Sequence, residues 1–380
     1  MSNKKKKILF LGTKMQLAGA QKMQLIQSEW FHNNGYEVTS VFLFDNGNLA
    51  NDWKANYPFK IINLDVWPPN KNLLFKIIKF LKGLFPFYRY LVKNQFDVIE
   101  TFTHDINLIG IPLAFIAKIP TRIASHQGEI ANRIFFWKWL HGRLVNSFLT
   151  TKLVVVSNKV KENAIEIEKI IPEKIELILN AIKTNNPLPD KLQARKSLGW
   201  SENANILVTV GRLSLPKGHK YIVNAMPAVL EKHPETQLYI LGEGYLQDSI
   251  TNQIGKLNLQ ENVKLLGVRN DVNKILRASD LYIMPSLWEG LPIALLEAML
   301  MECPIIISDV EGIDDVLTHK KNALITPPKD VDNLSRSIIS LLDNKNMRIY
   351  LGKAARKRVL ESFSEDEMCK QYEKVFFPVD

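Results

Sequence analysis

Short apolar runs alternate with helical patterns through both halves of this 380-residue chain, and that alternation narrows the fold more than any other feature. Strands separated by helix-length segments cannot pair as hairpins; they form βα units around a parallel sheet. In the first half the runs are Ile8–Leu11, Val38–Phe44, Phe96–Thr101, Arg122–Ser125 and Leu153–Val156. In the second they are Ile206–Val210, Gln237–Leu241, Val263–Leu266, Leu281–Met284 and Pro304–Ile307. The reading is an α/β chain of two doubly wound parallel-sheet domains. Asn185, Asn186, Pro187 and Pro189 concentrate breaker residues between them. The expected domains are therefore residues 1–184 and 190–362, joined by a linker at 185–189.

The length suits this division, since a domain takes about 100–200 residues. Hydrophobic residues make up 46% of the chain and charged residues 23%, which places it with globular rather than disordered proteins. Cys303 and Cys369 are the only cysteines. Two cannot build a disulfide framework or a metal-ligand spacing, so a reducing compartment, the cytoplasm, is expected. Lys4 to Lys7 followed by an apolar run mimics a secretory signal, but the run ends at Gly12, short of the ~7–15 residues required. Leu108 to Ala117 is the longest other apolar stretch, and it falls short of the ~20 residues that span a bilayer. The net charge of +10 is uneven: residues 1–189 hold 25 Lys and Arg against 14 Asp and Glu, and residues 190–380 hold 24 against 25. The first half is thus expected to meet something anionic, whether a membrane surface, a nucleic acid or a phosphorylated acceptor.

Sites in open parallel sheets form at the carboxyl ends of strands, so the loops after these runs carry the functional reading. The sharpest is Met284–Met299, where a strand ends, Gly290 permits an unusual turn and Pro292 suits the first turn of a helix. The backbone N–H groups of Leu291, Ile293 and Ala294 would then favour a phosphate. Glu289 and Glu297 would reach different depths of one pocket and grip sugar hydroxyls; the plain alternative makes Glu289 a surface residue and pairs Glu297 with a lysine. After Ile206–Val210, Gly211, Arg212 and Lys217 bring a planar fork and a point charge to one loop, a combination suited to a diphosphate. Gly242 supplies a glycine turn after the next run. In the first half, Gly12 to Gln21 joins strand to helix through small residues that include Gly19, without the G-x-G-x-x-G of a dinucleotide site. His126 follows the run Arg122–Ser125 and is expected to reach the site, with His104 a lesser candidate.

With these loops in hand, the chain resembles the retaining GT-B glycosyltransferases of family 4, the group 1 glycosyl transferases. The likeness covers nearly the whole chain and is sharpest from Val208 to Thr326. Arg212 and Lys217 match the family's basic pair on the donor diphosphate. Glu289 and Glu297 match its paired glutamates, the first a donor-sugar contact and the second a ribose contact. Gly19 lies in its N-terminal glycine loop, and His126 matches a histidine near the transferred sugar. That loop departs from the pattern, with Ala18, Gly19, Ala20 and Gln21 in place of a double glycine and an acidic residue. The hinge Asn180–Lys183 also lacks the common glycine and aspartate. The resemblance implies a GT-B architecture, two Rossmann-like domains facing each other across a cleft; residues 363–380 are read as a C-terminal helix returning to the N-terminal domain. It implies transfer of a hexose-type sugar from a nucleotide-diphosphate sugar, a UDP-sugar being favoured, to a glycan or lipid-linked acceptor with retention of configuration. Bacterial surface polysaccharide, lipopolysaccharide or glycan assembly is the implied setting. No cofactor and no metal ion are expected.

Lys71, Lys76, Lys79, Lys82, Arg89 and Lys93 stand in a stretch free of acidic residues. On a helix, Leu74, Ile77, Ile78, Leu81, Leu84 and Phe85 share one face with Lys76, Lys79 and Lys82 beside it, as in a helix resting on an anionic membrane. A core-packed helix with a basic edge is the alternative. The expectation is peripheral contact at the cytoplasmic membrane face and a lipid-linked acceptor. Two rival functions stay open. One is another GT-B chemistry, a nucleotide-sugar epimerase or a phosphorylase, because fold does not fix chemistry. The other is a non-catalytic nucleic-acid binder stacking bases on Phe85, Phe87, Tyr88 and Tyr90. Against the latter, the basic surplus lies in the first half and the phosphate-directed loops lie mostly in the second.

Overall fold

The computed structural model describes residues 5–378 apart from 17, 46–48, 68–71, 129–133, 186 and 311. The chain forms two compact units, Met1–Ala181 with Glu365–Asp380, and Ile182–Ser364.

The first unit runs β1 (Lys7–Met15), α1 (Gly19–Asn33), β2 (Glu37–Asp45), α2 (Leu49–Asn56), β3 (Lys60–Asn63), α3 (Leu73–Asn94), β4 (Val98–Phe102), α4 (His104–Ile116), β5 (Thr121–His126), α5 (Phe135–Asn146), β6 (Lys152–Val155), α6 (Asn158–Glu166) and β7 (Ile175–Leu177). Its seven strands form one parallel sheet in the order β3-β2-β1-β4-β5-β6-β7, with Ile8 registered against both Val38 and Val98. Helices cover both faces, so a central strand must be apolar throughout. In β4 every residue is buried, and the one acidic residue, Glu100, is tolerated because burial pushes its carboxyl well above the usual range, towards the neutral acid.

The second unit runs α7 (Lys191–Ser197), β8 (Ile206–Val210), α8 (His219–Lys232), β9 (Gln237–Leu241), α9 (Gln247–Lys256), β10 (Val263–Gly267), α10 (Val272–Ala278), β11 (Leu281–Met284), α11 (Ile293–Leu300), β12 (Ile305–Ser308), β13 (Leu324–Thr326), α12 (Val331–Asp343) and α13 (Lys345–Ser362). Its sheet is also parallel, in the order β10-β9-β8-β11-β12-β13. The core beneath it draws Leu207, Ile222, Val223, Met226, Ile283 and Ile338 together. The described residues of 185–189 lie outside helix and strand. Immediately after them Asp190 caps α7, accepting from the Gln193 N–H at 2.8 Å. Where the chain enters and leaves this unit, the Ile182 N–H donates to the Phe363 carbonyl at 3.1 Å.

The final helix, α14 (Glu365–Phe376), packs on the first unit. Met368, Cys369, Tyr372 and Phe376 are its buried face, and the Phe376 ring stacks on Phe31 at 5.1 Å.

One local reading of the sequence changes, and one alternative is narrowed. Pro292 is not in the first turn of α11; it occupies the extended N-cap position with φ −74° and ψ 128°, and the helix starts at Ile293. The amphipathic helix α3 is not core-packed along its length. Its 22 residues reach about 33 Å, roughly twice the length of a five-residue strand, so only part of it has sheet to lie on. Phe87 and Leu91 are its buried positions, whereas Leu73, Leu74, Leu81 and Phe85 are 59–68% exposed. Lys79 pairs with Asp65 and is a neutralised member of the basic row; Lys71 lies outside the described residues. Because Phe87 is in the core, the four rings from Phe85 to Tyr90 are not a continuous stacking surface.

Candidate functional site

Strand order reverses between β8 and β11 in the second unit, and such a switch point splays two crossovers apart and leaves a crevice at the strands' carboxyl ends. The loops that leave these two strands are the ones carrying Gly211–Lys217 and Pro285–Leu291. The Leu287 N–H donates to the Pro216 carbonyl at 2.7 Å, tying one loop to the other. Gly218, at φ +62°, is a requirement of that closeness: a Cβ there would stand 1.9 Å from the Pro285 carbonyl oxygen. Gly242, at φ +127°, plays the same part for β9, since a Cβ would stand 2.1 Å from the Gly211 carbonyl. The two glycines thus pack three strand-end loops together.

Within this crevice Lys217 and Glu289 meet. The Lys217 Nζ lies 2.7 Å from both Glu289 carboxylate oxygens, and Ser286 Oγ donates to Oε1 at 2.6 Å. The Glu289 side chain is 7% exposed and that of Lys217 21%, so the pair is largely withdrawn from water and its attraction is little screened. The loop positions of both residues are legible in the sequence; their pairing and the part of Ser286 are not. Arg212 is exposed at the mouth of the same loop. Below, the buried Tyr282 of β11 feels both glutamates: burial, then the charges of Glu289 and Glu297, push its phenol well above the ordinary range. Gly290 and Leu291 complete the loop, and Ile293 and Ala294 are the first two residues of α11, a helix N-terminus whose leading N–H groups favour an anion. The chain's one Asp-x-Asp, Asp330-Val331-Asp332, has a capping duty: Asp330 accepts from the Asn333 N–H at 2.9 Å and starts α12.

The first unit carries the remaining two residues along the carboxyl edge of its own sheet. Gly19 is the first residue of α1, after an extended Ala18 with φ −133° and ψ 166° and no side-chain cap. His126 ends β5 and is 2% exposed. Its ring lies 5.8 Å from that of His104 and 5.5 Å from that of His141. His141 had no signal in sequence beyond being a histidine on a helix. At the start of α5, which carries no motif in the sequence, Ile134, Phe135, Phe136, Trp137 and Trp139 are 44–74% exposed. Among the described residues, no helix is long and apolar enough to cross a membrane.

Comparison with known proteins places these two units. Residues 19–186 match the family model described as Glycosyltransferase Family 4, and residues 190–358 match that described as Glycosyl transferases group 1. Among curated relatives, the chain is 27% identical over 360 residues to the Escherichia coli UDP-Gal:alpha-D-GlcNAc-diphosphoundecaprenol alpha-1,3-galactosyltransferase, covering 92% of this chain and 90% of that protein. It is 26% identical to a Campylobacter jejuni N,N'-diacetylbacillosaminyl-diphospho-undecaprenol alpha-1,3-N-acetylgalactosaminyltransferase, covering 78% and 81%. Among solved structures, Anabaena HepE in complex with UDP-glucose aligns with TM-score 0.83 and 19% identity over 97% of this chain and 98% of that one. WaaG, a glycosyltransferase involved in lipopolysaccharide biosynthesis, aligns with TM-score 0.78 and 16% identity over 98% and 100%. These likenesses show the GT-B fold.

His219, the first residue of α8, gives the crevice a pH signature. Its Nε2 lies 3.2 Å from the Arg212 carbonyl. Burial pushes the imidazole from 6.5 down to about 4, the Lys217 charge acting the same way and the backbone contact against it. A depressed histidine is neutral when folded, so between pH 6.5 and 4 the unfolded chain binds a proton that the folded one refuses. Stability is therefore lost as pH falls through that window. The urea midpoint is expected to drop less between pH 7 and pH 4.5 in His219→Gln than in the wild type; equal drops would contradict this.

Proposed function

We propose that this chain, which belongs to the group 1, family 4 GT-B glycosyltransferases and so uses a nucleotide-sugar donor, moves a hexose from a UDP-sugar to a lipid-linked glycan acceptor with retention of configuration. The observation that carries the reading is the Lys217–Glu289 pair in the second unit's switch-point crevice, flanked by Arg212 and the start of α11. A lysine so placed exchanges its carboxylate for the donor diphosphate, and the exchange frees Glu289 to accept hydroxyls of the transferred sugar. Arg212, Lys217 and the leading N–H groups of α11 then stabilise charge as it grows on the departing diphosphate, at fixed positions that need no reorganisation. Glu297 is assigned the ribose. Gly211 and Gly242 let the backbone come close to the nucleotide. From the first unit, Gly19 and His126 are assigned to substrate contact. No protein nucleophile is invoked: attack on the face the diphosphate leaves retains configuration, and a diphosphate oxygen takes the acceptor proton.

UDP is supported as the donor nucleotide by the HepE complex with UDP-glucose, and a lipid-linked acceptor by the undecaprenol-linked substrates named for two relatives. The exposed apolar row of α3, with Lys76, Lys82, Arg89 and Lys93 alongside, and the aromatic start of α5 supply the means for the first unit to rest on an anionic bilayer where such an acceptor is held.

A thermal-shift series with UDP-glucose, UDP-galactose and GDP-mannose tests the donor, since a ligand that binds only the folded state raises its stability. At least one UDP-hexose is expected to raise Tm in the wild type and not in Glu297→Ala; stabilisation by GDP-mannose alone would overturn the UDP assignment. Flotation with liposomes tests the surface: binding to anionic vesicles that falls when Lys76, Lys82 and Arg89 become glutamine is expected. Equal binding to neutral and anionic vesicles, or none, would refute it.

A further inference from the structure

Beneath His126 lies a closed set of polar side chains that the transfer reaction, as described, does not use. Glu168, in the segment after α6, has a side chain with no exposure, buried between His104 of α4 and His141 of α5, which are equally closed off. His104 Nε2 lies 2.9 Å from Glu168 Oε1 and His141 Nδ1 lies 3.0 Å from Oε2. The two rings stack at 4.1 Å.

Proton positions follow from the partners. Asn107 Nδ2 lies 3.2 Å from the Ser125 carbonyl, which only accepts, so the amide nitrogen must face that way. Its oxygen then accepts from Thr101 Oγ1 at 2.7 Å. The same Nδ2 is 3.0 Å from His141 Nε2, which must be the acceptor, leaving the His141 proton on Nδ1 and aimed at Glu168. His104 likewise donates from Nε2. Burial by itself would raise the Glu168 carboxyl, but the hydrogen bonds from His104 and His141 pull it below the usual carboxylate range. The site therefore keeps a buried anion at neutral pH, held by two imidazole N–H groups. A backbone irregularity marks the same place: Thr103, directly before His104, has φ +89°, a conformation a β-branched residue keeps only where the surroundings impose it.

One ligand atom from each of His104, His141 and Glu168 lies within 4.8 Å of the others, a spacing a metal ion accepts. Metal on His141 Nδ1 would move its proton to Nε2 and set it against the Asn107 amide hydrogen, donor facing donor. The second layer is arranged for the hydrogen-bonded state.

We infer that Glu168 is a positioning residue: by holding His104 and His141 as one packed pair it fixes the His126 ring and supplies the negative charge that favours the ring as a hydrogen-bond donor to substrate. This rests on the reading of His126 as a substrate contact. Neutral glutamine in place of Glu168 keeps the size but presents an NH2 group to one of the two N–H donors, so the pair loses its register. Turnover of UDP-galactose and UDP-glucose is the assay, beside ¹⁵N spectra of the histidine rings of the intact protein. In Glu168→Gln, kcat is expected to fall by about 10²-fold, the cost of a misplacement on the order of 1 Å, with donor KM unchanged, while His126→Gln falls at least as far. The His141 ring is expected to carry its proton on Nδ1 in the wild type, a measurement that does not depend on any variant folding. Unchanged kcat in Glu168→Gln beside a large loss in His126→Gln would overturn the inference and leave the reading of His126 intact. Full activity in His126→Gln would remove that reading itself. One equivalent of bound zinc, or His141 protonated on Nε2, would replace the positioning role with a metal site.

Discussion

A parallel strand can follow another only after the chain has crossed back over the sheet, and from this constraint the rest of the structure follows. Each crossing returns to the same edge, so the carboxyl ends of β8, β9 and β11 and the loops leaving them gather at one end of the second sheet. The ends of β1 and β5 do the same in the first. Residues more than seventy positions apart, such as Lys217 and Glu289, meet at 2.7 Å for that reason. The close approach depends in turn on glycine: Gly218 and Gly242 stand where any side chain would strike a neighbouring carbonyl.

What the crevice holds is a balance of charge rather than a row of cations. In the structure Glu289 satisfies Lys217, and Ser286 satisfies Glu289. A largely buried lysine without a partner would be costly, so the internal pair keeps the crevice stable until an anion of better geometry arrives. In the proposed function a diphosphate would present two phosphoryl groups to Lys217 and Arg212 together with the start of α11. The first unit repeats the theme in the opposite sign, with a buried carboxylate held by imidazole N–H groups.

Much of this was legible in the sequence, and the omissions have physical causes. All ten apolar runs are strands. The three strands without a counterpart, Lys60–Asn63, Ile175–Leu177 and Leu324–Thr326, sit at sheet edges and have three or four residues each. Edge strands are short and paired on one side only, so they leave no apolar run to find. Pro292 was misplaced by one position because proline suits both the N-cap geometry it has and the first turn it was given. Strand-end position brought out His104 and His126, but His141 and Glu168 lie in helix and loop at spacings no motif describes, and only the fold joins them. For α3 the periodicity left two readings, an apolar row resting on a membrane and a core-packed helix, since it states that a face is apolar and not what covers it; the exposed row agrees with the first.

In the proposed function the second unit's switch-point crevice takes the donor diphosphate by exchanging it for Glu289 on Lys217. A crystal structure of the protein with UDP tests it most directly. The diphosphate is expected within hydrogen-bond distance of Arg212 and Lys217, with the Lys217–Glu289 contact broken. UDP bound away from this crevice, with Lys217 still held at 2.7 Å from Glu289, would contradict it.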